Sequence, residues 1–157
     1  MPTDALLKAI NALHHAIIRL SGGRLGWTAG DMPVVELTTT GRHSGQPRTV
    51  LLTSPLQLGS ALVVVASRGG SDQPPDWLLN LQADPHVSVR VGGGPTQPRR
   101  ARVASPAERA RLWQRVVAGH RVYAGYQQKT DREIALVLLE PPPAGSFGPF
   151  PEADPVR

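Results

Sequence analysis

Leu6, Ile10, Leu13, Ile17 and Leu20 recur at spacings of four, three, four and three. That rhythm places them on one stripe of an α-helix over residues 5–20, stopped by Gly22 and Gly23. The pattern then shortens. Val34–Thr40, "RTVLLTSPLQL" and "ALVVVAS" read as three strands, the last two joined by Gly59-Ser60 as a hairpin. Asp76–Ala83 reads as a short helix ended by Asp84-Pro85. "HVSVRV" and "RRARVA" are two more strands, separated by a Gly-rich turn, and "IALVLLE" is the last. Between them, Ser105-Pro106-Ala107-Glu108 opens a helix with an N-cap serine, proline at the first position and glutamate three residues after the cap. Leu112, Trp113, Val116 and Val117 supply its apolar face.

Most steps between strands are too short for the helical crossover that parallel pairing needs. The expected fold class is therefore mainly β with helices (α+β): about six antiparallel strands in a small barrel. Three segments are expected: an amphipathic helix in residues 1–25, a barrel domain in 30–141, and a flexible tail in 142–157. The tail is too rich in proline and too poor in apolar surface to fold.

The 157 residues include no cysteine, which removes disulfides, thiolate nucleophiles, zinc–thiolate sites and iron–sulfur clusters. No apolar run spans a bilayer, and no secretory leader is recognisable, so a cytoplasmic protein is expected. The balance is basic, with 17 Lys+Arg against 12 Asp+Glu and a formal net charge of +5. Only Lys8 and Lys129 are lysines. Arginine's planar fork suits phosphates and carboxylates, so an anionic ligand, an anionic membrane or nucleic acid comes into view. Arg99, Arg100, Arg102, Arg109, Arg111 and Arg115 cluster, but no nucleic-acid-binding signature accompanies them, and a solvated basic face is the simpler account. No nucleic-acid partner is expected. No metal site is expected either: adjacent His14 and His15 do not share a helix face. The helix of residues 5–20 sits in a stretch without acids. It can lie on an anionic bilayer as a peripheral contact at the inner face of the cell membrane, or pack on its own domain.

Two turns carry the candidate chemistry. In "TGRHSGQPR", Gly41 and Gly45 can expose consecutive N–H groups in an anion-binding nest, Ser44 adds a donor, and Arg42, His43 and Arg48 add charge. The alternative is a solvated hairpin tip. "ASRGG" repeats the recipe after another apolar strand, and "PPDWLLNL" follows with Trp77 and Asn80. Two donor turns and an aromatic face describe a site for a long anion that carries a ring, although Trp77 can equally fill the core.

Five pieces, "LTTTGRHSGQPRTV", "VVASRGG", "PDWLLNLQADPHVSV", "ERARLWQRVV" and "YAGYQQKTDREIALVLLEP", stand in this order along about Leu6 to Pro141. In order and spacing the chain resembles the deazaflavin-dependent nitroreductase family, also called F420H2-dependent quinone reductases. The resemblance implies a split β-barrel of the flavin-reductase type that binds coenzyme F420, whose phosphate and glutamate tail suit arginine-rich turns; FMN, lacking the tail, is less favoured. It implies hydride transfer from reduced cofactor to a small-molecule acceptor such as a quinone or nitroaromatic, with a non-catalytic F420 or flavin carrier as the alternative. Family cofactor contacts carry over to Arg42, His43 and Ser44, and to Arg48, Thr49, Val50, Leu51, Leu52 and Thr53. They continue at Val65, Ala66, Ser67 and Arg68, at Asp76, Trp77, Leu78, Leu79 and Asn80, and at Tyr123. Tyr123 and Tyr126 stand on the substrate side as candidate catalytic groups. His43 and Arg68 occupy positions where lysine is usual, and Leu51 one where proline is expected. Thr53 and Leu78 replace frequent tyrosines, which leaves nitroimidazole reduction open. A monomer and a homodimer are both compatible with the sequence.

Overall fold

The computed structural model describes residues 3–20, 28, 29 and 31–144. The side chains of His14, His15, Ile17 and Leu20, the Gly22–Gly23 stop and almost all of the tail lie outside the described residues.

Helix α1 spans Asp4–Leu20. The strands are β1 (Thr28–Ala29), β2 (Met32–Thr40), β3 (Pro47–Thr53), β4 (Leu56–Leu58), β5 (Ala61–Val65), β6 (His86–Val91), β7 (Gln97–Val103) and β8 (Leu136–Glu140). Helix α2 (Asp76–Ala83) lies between β5 and β6, and α3 (Pro106–Gly119) and α4 (Val122–Gln128) between β7 and β8. Among the described residues the strands form one antiparallel sheet in the order β1-β2-β6-β7-β8-β5-β4, with β3 added to β2. It curls into the split barrel that the sequence implies.

Core residues alternate across this sheet. Leu62 and Val64 of β5, with Val137 and Leu139 of β8, point into the curl, where Trp77, Leu78 and Leu81 of α2 meet them. Val63, Val65, Leu136 and Leu138 point the other way, under Leu112, Val116 and Tyr123 of α3 and α4. Both faces are covered, which is why β5 and β8 read as unbroken apolar runs rather than alternating ones. The α3 start is built as its sequence predicts, with Ser105 Oγ accepting from Glu108 N at 3.3 Å.

The structure refines the sequence reading at three points. The single strand read through "RTVLLTSPLQL" is two strands, divided at Ser54-Pro55, and β1 adds another, so the count rises from about six to eight among the described residues. Ser54 makes the break. Its amide donates to Pro33 O at 3.0 Å, and its wholly buried hydroxyl lies 3.0 Å from Leu56 O and 2.8 Å from Val63 O. It thereby ties β3 and β4 back to β2 and β5. Helix α4 carried no apolar periodicity to announce it. Last, α1, whose direction the sequence leaves open, has Leu6, Ile10 and Leu13 49%, 55% and 64% exposed. The contacts to the body run through Asp4, which pairs with Arg68, and Asn11, which donates to Leu51 O. Of the stripe's described side chains, Leu6 and Leu13 face outward, and Ile10, though exposed, borders the cavity.

Replacing Ser54 by Ala removes only the hydroxyl and takes away the donor that Val63 O and Leu56 O share. Urea denaturation is expected to show a loss of about 1–3 kcal/mol; an unchanged midpoint would mean that Ser54 does not hold the strand break.

Candidate functional site

The β2–β3 hairpin tip is a tight loop. Gly41 N donates to Gln46 O and Gly45 N to Gly41 O, each at 2.8 Å. A Cβ on Gly41 would stand 2.6 Å from Ser44 Oγ and 3.2 Å from Gln46 O, so a side chain there would displace the Ser44 hydroxyl. Ser44 Oγ accepts from Gln46 N at 3.2 Å and from Arg48 Nη2 at 3.3 Å, which leaves its own proton to donate. Arg48 is exposed at the first residues of β3, where the sheet fixes its backbone.

Arg42 is held differently. Its amide and its Nη1 both donate to Asn80 Oδ1, at 3.2 and 2.9 Å, and its Nη2 meets Asp76 Oδ1 at 3.3 Å. Asn80 is 4% exposed and donates in turn to Thr39 Oγ1 at 3.2 Å. A single buried amide thus brackets the hairpin tip to the second turn of α2. This explains why "PPDWLLNL" matters to "TGRHSG" thirty-odd residues earlier.

The second basic turn follows β5. Arg68, Gly69 and Gly70 take φ of +44°, +63° and +85°. Gly70 sits against α4, where a Cβ would lie 2.7 Å from Tyr126 O. Arg68 donates through Nη1 to Pro74 O at 3.3 Å and through Nη2 to the Asp4 carboxylate.

Between the two turns lies an open cavity of about 1010 Å³. Its wall brings together Arg42, His43, Ser44, Arg48, Thr49, Val50, Leu51, Leu52, Val65, Ser67, Arg68, Asp76, Trp77 and Asn80. Thr53, Ala66, Leu78, Leu79, Tyr123 and Tyr126 are not on that wall. Leu78 and Ala66 are core residues. Tyr123 is 5% exposed; its hydroxyl lies 3.0 Å from Thr53 Oγ1 and 3.6 Å from Met32 Sδ, and burial pushes its phenol above the usual range. Tyr126 packs edge-on against it, 6.0 Å between ring centroids.

The sequence reading missed Asp4, Leu7, Lys8 and Asn11 of α1, which close the cavity from the N-terminal side. The signal was present: positions 4, 8 and 11 follow the helical spacing i, i+4, i+7, and all three are polar. The wall carries four permanent cations (Lys8, Arg42, Arg48, Arg68) against two carboxylates (Asp4, Asp76), and His43 besides. With Val50, Val65 and Trp77 it combines a cationic rim with an apolar floor.

The family model described as F420H(2)-dependent quinone reductase matches residues 11–141. The chain belongs to that family. It is 41% identical over 135 residues to F420H(2)-dependent quinone reductase Rv1261c of Mycobacterium tuberculosis strain H37Rv, covering 81% of this chain and 87% of the relative. A solved structure titled F420-H2 Dependent Reductase (FDR-A) aligns with a TM-score of 0.61 at 39% identity, over 69% of this chain and 94% of the other. Another, described as a domain-swapped dimer, aligns at 0.64 and 35% identity, over 82% and 97%. The two turns and the Asn80 bracket lie within the residues that the family model matches.

Asn80→Leu should therefore free the hairpin tip. The Arg42 amide would lose its acceptor and Thr39 Oγ1 its donor, at a cost of about 1–3 kcal/mol. Amide hydrogen exchange at Arg42 should accelerate; unchanged exchange there would show that Asn80 is not the bracket.

Proposed function

We propose that the cavity binds coenzyme F420 and that the protein is an F420H2-dependent reductase of an electron-poor acceptor, a quinone first and a nitroaromatic second. One observation carries the reading: a cavity of about 1010 Å³ whose rim gathers Lys8, Arg42, Arg48 and Arg68 beside an apolar patch. These residues fit a ligand with a ring at one end and phosphate and carboxylates at the other. Arg48, Arg68 and Lys8 would hold the anionic groups, with the proton of Ser44 as an additional donor. Val50, Val65 and Trp77 would border the ring, and Ser67 is the hydroxyl next to them.

When bound, reduced deazaflavin supplies a hydride to the acceptor. The chain's own work is to bind, to orient and to keep water from the reacting face. The aliphatic wall of β3 and the cover provided by α1 serve that exclusion. Tyr123 spends its hydroxyl inside the core on Thr53 and Met32, so the polar wall group at the acceptor is assigned to Ser67 in preference to a tyrosine. Steady oxidation of reduced F420 by quinones would distinguish this reductase from a non-catalytic F420 carrier. Among the described residues no helix is long and apolar enough to cross a membrane. The exposed stripe of α1 supports a second, peripheral reading, contact with the bilayer that dissolves a lipid quinone.

F420 should bind more tightly than FMN, and its affinity should fall with salt because part of it is screened Coulomb attraction; equal or tighter FMN binding would overturn the cofactor assignment. Arg48→Ala removes a charge-assisted contact of about 1.5–3 kcal/mol, a loss of about 10- to 150-fold in F420 affinity. Its melting temperature should hardly move, since an exposed arginine adds little to folding. Arg111→Ala, exposed on α3, is the control and should bind F420 as the parent does. Equal losses in both variants would point to diffuse charge instead of the turn.

For the membrane reading, Leu6→Gln, Ile10→Gln and Leu13→Gln together should abolish flotation with anionic liposomes. Unchanged flotation would exclude the stripe as the contact.

A further inference from the structure

Arg132 lies off the cavity wall, yet its side chain is devoted to one of the cavity's turns. Nε donates to Ser71 O at 2.8 Å, Nη1 to Ala66 O at 3.1 Å and Nη2 to Ser67 O at 2.9 Å. All three acceptors are main-chain carbonyls, and they bracket residues 68–70 from both ends. The guanidinium's own base is fixed too. Arg132 N donates to Thr130 Oγ1 at 3.3 Å, and Arg132 O accepts from Gln127 Nε2 at 2.8 Å. Gln127 Oε1 is itself held by Ile134 N at 2.9 Å and by Arg109 Nη2 at 3.1 Å.

The bracketed segment needs such support. Arg68 has a φ of +44°, in the left-handed region that side chains other than glycine's seldom enter. A residue keeps such a conformation only where its surroundings over-determine it. Gly70, seated on Tyr126 O, fixes one end of the segment. The Arg132 fork fixes the carbonyls on both sides. The left-handed backbone then directs the Arg68 side chain along the cavity wall to Pro74 O and to the Asp4 carboxylate, the partner that an incoming anion would have to share or replace.

We propose that Arg132 is the positioning residue for Arg68: by clamping the carbonyls of Ala66, Ser67 and Ser71 it holds the turn that aims Arg68 at a phosphate or carboxylate in the cavity. The fork geometry matters more than the charge, because lysine, a point donor on a flexible stem, cannot reach three carbonyls in one plane. The electrostatics agree. Burial in the first place, and the neighbouring Arg68 in the second, pull Arg132 below arginine's usual pKa, so two cations are kept close together on this turn.

The inference rests on the cofactor reading only for the choice of ligand, so its test has arms with and without F420. Arg132→Lys should lower F420 affinity about tenfold, the weight of one charge-assisted hydrogen bond. In an Arg68→Ala background the same replacement should cost less than about twofold, since there is no longer a side chain to aim. A loss of the same size in both backgrounds would overturn the proposal. Without ligand, the amides of Gly70 and Ser71, which bond to Ser67 O and Arg68 O, should exchange at least about tenfold faster in Arg132→Lys while those of β2 do not change. Unchanged exchange at these amides, or uniform acceleration throughout the sheet, would also overturn it. In the parent protein the Arg132 Nε–H should give a slowly exchanging NMR signal, and a rapidly exchanging one would count against the clamp even if the variant failed to fold. If the parent does not bind F420 at all, the cofactor reading falls, and the exchange measurements decide the role of Arg132 alone.

Discussion

An incomplete barrel leaves a strand edge without a partner, and the rest of this molecule is arranged around that edge. Strand β3 is hydrogen-bonded to β2 along its whole length and has no strand on its other side among the described residues. Backbone groups on such an edge must find side chains, water or a ligand. Asn11 of α1 supplies one partner by donating to Leu51 O. Arg48 to Leu52 otherwise form a wall of the cavity. Full closure of the barrel would have satisfied the edge and abolished the site.

An open edge is useful only if the turns at its ends are stiff. Both are stiffened by a buried or half-buried polar side chain on another element, acting on main-chain atoms. Asn80 fixes the hairpin tip through Arg42 and Thr39. Arg132 fixes the turn after β5 through three carbonyls. Each bracket satisfies groups that would be costly to bury unpaired, so the stability of the turns and the order of the site have the same origin. Arg48 and the proton of Ser44 then stand exposed at the cavity.

The sequence made some of this legible and concealed the rest. "GRHSGQPR" and "SRGG" were recognisable because glycine, serine and arginine crowd together at the ends of apolar strands, and those two turns do share a cavity. The covered faces of β5 and β8 were legible as unbroken apolar runs. Ser54 was not, because a small polar residue inside a strand-like run gives no sign that its hydroxyl will be wholly buried. Arg132 looked like any charged residue before the last strand; its role depends on carbonyls more than sixty residues away. Tyr123 was read as facing the substrate, and lies in the core with its hydroxyl bound to Thr53 and Met32. For α1 the periodicity was right and the direction was open. A hydrophobic stripe identifies a face but not what that face meets, and here Asp4 and Asn11 turn inward to a cation and an open carbonyl, with Lys8 beside them on the cavity wall.

The outward side of α1 has a practical consequence for anyone who handles the protein. Leu6, Ile10 and Leu13 form an exposed greasy ridge, and a ridge of that kind invites trimming to improve yield or crystal growth. Trimming at residue 30 would remove the ridge and, with it, Asp4, Lys8 and Asn11. A shortened protein would have a wider mouth of unchanged net charge, since Lys8 and Asp4 leave together, and Arg68 would lose its carboxylate partner. Affinities measured on it would describe a different vessel from the one the whole chain builds.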